Sequence, residues 1–387
     1  MKGIKITLTI LFTITIANIN AGASLFGTVD FYGHSTPYTF GQALLNLRLH
    51  SLTQSEISEN LVQYRNANLS KSTSAISRQV DLYNLDDAGT VLLVNKIAQN
   101  LAKSTKGNRV HFIKYLLLKE LGYDVILTRT GRDLNCLGNL AFTPGRYIYI
   151  NYAGKTYKDV DFAKRTSSGQ HLIYRDSHKT SKRIKRNIYN VPRVNANKRN
   201  KEINFSFGVE KHNLKAISNA SLTEFLADLP MFEVGREFTQ LRVSRETDTS
   251  VIQYLKDQVA DRETVDAVRF LLAFVQQVSP YGSDFEKYGE ERFYYPEETI
   301  MSTSADCEDK AILLAFLTKK ILNIESKGLF FENDEHLSLA IQIPEYKHSA
   351  SFIYQGETYV SCEPTAQYPR LGHSQFNLKR VTKIIDL

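Results

Sequence analysis

The segment AILLAFL (residues 311–317) is apolar whichever way it is wound into a helix. A helix without a polar stripe has to be covered on every side, so the chain must build layers around it. Its entrance is the opposite in character. Asp306, Glu308 and Asp309 flank Cys307, with Asp306 placed to cap the helix and Asp309 three positions later, while Lys319 and Lys320 close the far end. Acids at the start and lysines at the end complement the helix dipole.

Cys307 then takes the first helical position, where unpaired backbone N–H groups stabilise a thiolate. The acids oppose that charge, so a reactive sulfur here needs a cationic partner. His336, leading the strand HLSLAIQI, is the candidate base, and Glu363, at the end of TYVSCEP, is the candidate acid that orients it. Helix-borne cysteine, strand-borne histidine and an acid on the next strand form a consistent Cys-His-acid order. Two readings of the thiol stay open, nucleophile or inert buried cysteine. Tyr294, Tyr295 and Glu297 precede the motif and are placed at the cleft, with aromatic packing as the equal alternative for the two tyrosines. Clustered oxygens at Asp306, Glu308 and Asp309 suit a hard cation, so calcium is a candidate ligand, although the chemistry requires no cofactor.

The segment YYPEETIMSTSADCEDKAILLAFLTKKIL, followed by His336 and by YVSCEPT, resembles the transglutaminase-like superfamily of papain-type folds. Exported bacterial cysteine proteinases with a D-C-E-D motif and a later C-D-P-T are most similar, over about residues 250–387. The resemblance implies Cys307 as nucleophile, His336 as base and Glu363 in a place where members carry Asp. It also implies calcium at the D-C-E-D acids and a structural role for Cys362. The implied activity is amide or peptide hydrolysis or protein cross-linking. The alternative is an inactive scaffold of the same fold that binds a cell-envelope protein or glycan.

The rest of the chain sets the context. Lys2 and Lys5, the apolar run ITLTILFTITI and Ala21-Gly22-Ala23 read as a signal peptide cut near Ala23, hence a secreted or periplasmic protein. No second apolar run follows, so the chain is expected not to span a membrane. The formal charge of +7 loses Lys2 and Lys5 on cleavage and becomes +5, too little for a nucleic-acid binder. The expected partner is a protein or peptide substrate. Three cysteines allow one disulfide at most, with Cys136 and Cys362 the pair left after Cys307.

The expected class is α+β, in four parts. The signal peptide (1–23) precedes an N-terminal α+β domain (24–164), a basic β-rich middle domain (165–246) and the catalytic domain (247–387). Within 175–201, ten Lys/Arg meet one acid, a pattern that fits a solvated face or contact with an anionic surface. The N-terminal domain reads as a degenerate copy of the catalytic one. Aligning Gly154 with Gly356 sets Asp161 opposite Glu363, Leu134 opposite His336 and residues 104–108 around the cysteine.

Overall fold

The computed structural model describes residues 24–65, 69–142, 149–160, 169–187, 191–230, 234–289, 291–346, 348–368 and 370–387. The signal-peptide segment lies outside them. The chain is α+β with antiparallel sheets and divides into two compact units, essentially residues up to 186 and residues from 187 onward. Among the described residues no helix is long and apolar enough to cross a membrane.

The first unit opens with a hairpin, β1 (Ser24–Phe31) and β2 (His34–Gly41). Helices α1 (Gln54–Arg65), α2 (Leu69–Leu82), α3 (Asp87–Ala102) and α4 (Asn108–Glu120) follow. Its sheet comprises β3 (Val125–Thr130), β4 (Asp133–Asn139), β5 (Tyr149–Tyr152), β6 (Lys155–Asp159) and β7 (Leu172–Ile173), in the order β5-β6-β4-β3-β7. Residues 43–50, whose pattern reads as a strand, instead contain a 3-10 turn at Gln42–Asn46.

The second unit opens with a long hairpin, β8 (Lys198–Phe207) and β9 (Glu210–Asn219). Two short helices follow, α5 (Ala220–Ala227) and α6 (Arg236–Gln240), and TQLRVSR (239–245), whose pattern reads as a strand, is instead the end of α6, a bend and the start of the next helix. Next, α7 (Arg245–Thr247) runs through a π turn into α8 (Gln253–Val259). Four more helices come before the sheet: α9 (Thr264–Gln277), α10 (Asp284–Tyr288), α11 (Pro296–Met301) and α12 (Cys307–Leu317). The sheet itself comprises β10 (Ser326–Phe331), β11 (His336–Gln342), β12 (Ser351–Tyr354), β13 (Glu357–Cys362) and β14 (Lys383–Asp386), in the order β12-β13-β11-β10-β14.

The two sheets therefore have the same strand order, and the registers of two strand pairs, β3–β4 with β10–β11 and β5–β6 with β12–β13, follow one offset, whereas β4–β6 is shifted by one residue relative to β11–β13. Tyr152 pairs with Lys155 around Gly154 as Tyr354 pairs with Glu357 around Gly356. Arg129 pairs with Leu134 as Phe331 pairs with His336, so Leu134 occupies the histidine's rung. Helix α4 begins at Asn108 just as α12 begins at Cys307, and Asn108 Oδ1 accepts the Leu134 N–H at 2.8 Å. Asp161, the residue aligned with Glu363, lies outside the described residues.

No separate middle domain forms. The basic segment is divided between the units: β7 extends the first sheet, Arg186 pairs with Asp86, and Lys182 pairs with Asp87 at 2.8 Å, while in the second unit β8 packs on α9, and β9 on α7 and the π turn after it. A two-stranded hairpin has too little apolar face to stand alone, so it joins a neighbouring core. Lys182 and Arg186 of the basic run are thus paired with the two acids at the start of α3.

Helix α12 meets the requirement set by its sequence. It packs on β11, α9, α11 and α6, and every residue from Cys307 to Leu317 except Glu308 is buried. On the sheet's other side, Leu329, Phe331, Ala340 and Tyr359 form a second core layer, flanked by Phe352, Phe376 and Ile384.

Glu297 is an interior tie rather than a cleft residue. It is 1% exposed and accepts from the backbone N–H of Asn219 at 3.0 Å, from that of Ser244 at 2.6 Å and from the Ser244 hydroxyl at 2.7 Å. One carboxylate thereby joins the end of β9, the start of α7 and α11. Replacing it with alanine strands two buried backbone donors, each worth about 1–3 kcal/mol. Glu297→Ala is expected to lower unfolding stability in urea by about 3 kcal/mol. A loss below about 1 kcal/mol would contradict this role.

Candidate functional site

Three elements converge at the entrance of α12. Asp306 caps the helix, its side chain accepting from the Asp309 N–H at 3.2 Å, and Cys307 occupies the first turn at 3% exposure. The N–H of Leu337, next to the histidine on β11, donates to the Cys307 sulfur. His336 and Glu363 meet at the ends of neighbouring strands, with His336 Nε2 2.9 Å from Glu363 Oε2. That contact engages Nε2, so Nδ1 is the imidazole nitrogen that the carboxylate does not engage.

Glu363 is well held despite its extra methylene. Thr365 donates to its Oε1 through both the hydroxyl (2.6 Å) and the backbone N–H (3.2 Å). Burial pushes the carboxyl up, but the bonds from His336 and Thr365 outweigh it and bring Glu363 below the usual glutamate value. A carboxylate beside Nε2 fixes the imidazole's orientation. His336 is boxed by Phe376 at 5.3 Å and Phe331 at 6.3 Å between centroids. His348 and His373, the other C-terminal histidines, are exposed.

The cysteine is held as a thiol. Its sulfur lies 2.8 Å from Glu308 Oε2. Burial first, then the charge and hydrogen bond of Glu308, push the thiol well above its ordinary value, against the opposing Leu337 N–H. Neighbouring Asp306 adds to the same effect.

The acids form a larger group than the motif alone contains. Carboxylate oxygens of Asp284, Asp306 and Asp309 lie within 4.8 Å of one another, and so do those of Glu291, Asp306 and Glu308. Burial, then Glu308 and Asp284, push Asp306 up to about 8, while burial pushes Asp284 up to about 6. Asp309 is fully buried and also raised well above the carboxylate range. Its Oδ1 accepts from the Tyr294 N–H at 2.7 Å, whereas its buried Oδ2 has no hydrogen-bond partner among the described residues. An orphaned oxygen in an all-oxygen donor set fits a hard divalent cation. Sequence reasoning reached Asp306, Glu308 and Asp309 but missed Asp284 and Glu291, because nothing in their spacing announces the loop that brings them in.

That loop is seated by short-range contacts. Tyr281 bridges Ala305, two residues before the cysteine, with Gly282 N–H donating to Ala305 O at 3.2 Å. A Cβ on Gly282 would stand 2.7 Å from Ser304 Cβ, so only glycine allows this approach. Two lysines, Lys310 buried and Lys201 half-buried, fasten the end of α9 beside it. Lys310 donates to the carbonyls of Gln276 and Ser279, and Lys201 to those of Val278, Ile300 and Ser302.

Tyr294 and Tyr295 do not line an open cleft. They are 2% and 5% exposed, Tyr294 receiving a bond from Lys287 and Tyr295 stacking on Phe238 at 4.9 Å. The open aromatic side chains of this region are Tyr281 and Phe285, 61% and 70% exposed. All three cysteines are free and buried, so Cys136 and Cys362 form no disulfide.

No protein family, curated protein or solved structure matches this chain.

If the pair built from His336 and Glu363 controls the thiol, His336→Ala should slow iodoacetamide labelling of Cys307 by about tenfold or more, while His348→Ala should not. Glu363→Gln should fall between. Equal labelling of His336→Ala and wild type would show that another group sets the sulfur's reactivity.

Proposed function

We propose that the second unit is an exported, cysteine-dependent acyl-transfer enzyme, most simply an amide or peptide hydrolase of the transglutaminase-like, papain-type kind. The observation that carries this reading is the 2.9 Å His336–Glu363 contact beside a buried, helix-leading cysteine. An imidazole oriented by a carboxylate, on the strand whose Leu337 N–H reaches the cysteine at the helix start, is the set of groups that nucleophilic acyl chemistry needs.

The chemistry runs on this chain's own groups. His336 Nδ1 takes the Cys307 proton, and the sulfur attacks the substrate carbonyl to form a tetrahedral oxyanion. The Cys307 backbone N–H, at the first position of α12, would stabilise that charge. Collapse breaks the C–N bond as the imidazolium returns the proton to the leaving amine. Water, deprotonated by His336, then hydrolyses the thioester; an acceptor amine in its place gives transfer. Glu363, fixed by Thr365, keeps the imidazole oriented throughout.

The acidic cluster belongs to the same reading. Calcium held by Asp284, Asp306 and Asp309, with Glu308 and Glu291 at hand, would neutralise the carboxylates that keep the thiol protonated. The first unit, with Asn108 at the helix start and Leu134 on the histidine's rung, is read as an unreactive relative of the second, serving recognition or packing.

A second reading has its own support. The Cys307–Glu308 contact holds the sulfur protonated, which favours a scaffold that binds a cell-envelope protein or glycan without chemistry. Loss of turnover in Cys307→Ala with retained fold supports the enzyme. Unchanged turnover removes Cys307 as nucleophile.

Calcium provides a separate check. At about 100 times its dissociation constant a ligand of the folded state adds about 2.7 kcal/mol. Calcium should raise the melting temperature of the wild type and leave Asp309→Asn unmoved. An equal rise in both would place any bound calcium elsewhere.

A further inference from the structure

A cleft of about 650 Å³ lies in the second unit, bounded by the β8–β9 turn, α9 and the segment after Glu363. Three arginines line it, and their pairing differs. Arg262 is neutralised by Glu210 at 2.6 Å and Asp266 at 3.0 Å. Arg269, one turn along α9, reaches only the Tyr346 hydroxyl at 3.3 Å, and Arg370 rests near the Tyr368 ring at 5.8 Å. Neither meets a carboxylate within ion-pair distance among the described residues. Two guanidinium forks, with His348 stacked on Tyr346 between parallel rings, therefore leave positive charge unspent in a concave site.

The walls also limit what anion fits. Glu210 and Asp266 would repel a dense polyphosphate or a nucleic acid, whereas one or two carboxylates suit separate bidentate forks. Apolar surface lies alongside, with Val209 98% exposed at the turn and Leu371 opposite. The matching ligand carries carboxylates and apolar side chains together, as an extended acidic peptide does.

The cleft is joined to the catalytic acid by one side chain. Gln276, two turns beyond Arg269 on α9, donates to the carbonyl oxygens of Glu363 (2.9 Å) and Tyr368 (3.1 Å). Leu371, a lining residue, bridges Cys362. Part of the cleft's lining, Arg370 and Leu371, thus belongs to the segment that leaves Glu363.

We propose that this cleft is a substrate-docking site that binds an acidic, partly apolar stretch of the polypeptide substrate through Arg269 and Arg370, away from the bond attacked at Cys307. The assignment rests on the acyl-transfer reading for the word substrate, but the binding itself does not.

The test is fluorescence anisotropy of the full mature chain with a labelled peptide of alternating glutamate and leucine. The wild type should bind, added salt should weaken binding, and Arg269→Gln and Arg370→Gln should each lower affinity about tenfold. Arg370 is exposed, so its variant keeps the fold even if Arg269→Gln does not. Equal affinity in the Arg370→Gln protein overturns the proposal. So does equal binding of a peptide with glutamine in place of glutamate, or displacement by inorganic phosphate at the peptide's own concentration. Anisotropy needs no turnover, so an inert Cys307 would sink the enzyme and leave the docking site standing. A reactive Cys307 without peptide binding would do the reverse.

Discussion

Burial of the first turn of α12 is the constraint on which the second unit depends. Four of five successive residues, Asp306, Cys307, Asp309 and Lys310, sit inside a helix-and-sheet core, with only Glu308 partly exposed among them. Charges taken out of water must find partners there or shift their protonation. Lys310 does so by capping the last carbonyls of α9, which also pins the loop over the cysteine. Asp306 and Asp309 do so incompletely, since the Tyr294 N–H and the helix cap leave one Asp309 oxygen without a hydrogen-bond partner among the described residues. The site is consequently not at electrostatic rest, and the high thiol and carboxyl values follow from the same crowding.

Much of this was legible in the sequence because it followed from local rules. The all-round apolar run gave a central helix, the acids gave its start, and strand-length segments after it gave an antiparallel sheet with His336 and Glu363 at strand ends. The pairing of His336 with Glu363 depended only on adjacent strands in register. The less legible parts were those set by tertiary placement. Tyr294 and Tyr295 looked available because loops with aromatics often line clefts, yet Phe238 and Lys287 gather them inside. Asp284 and Glu291 carried no signal, since a coiled loop rather than a helical spacing brings them to Asp306. The basic run suggested a domain by composition, but short strands take their place by joining existing sheets.

The two sheets share strand order while their helix starts differ in chemistry. Cys307 and Asn108 both begin the helix that leads into the sheet, and each accepts a backbone N–H from the start of the second strand, that of Leu337 or Leu134. An amide oxygen makes the same bond as a sulfur but cannot attack a carbonyl. The layout is therefore compatible with chemistry in one unit and with a purely structural contact in the other, and only side chains decide which.

The central claim is that Cys307 is an acyl-transfer nucleophile activated by His336. Intact-mass analysis after exposure to a peptidyl acyloxymethyl ketone, an electrophile that needs such a site, tests it most directly. The account predicts a single adduct on Cys307, none on the buried Cys136 or Cys362, and none in His336→Ala. An adduct that forms equally in His336→Ala, or no adduct on Cys307 with or without calcium, would contradict it.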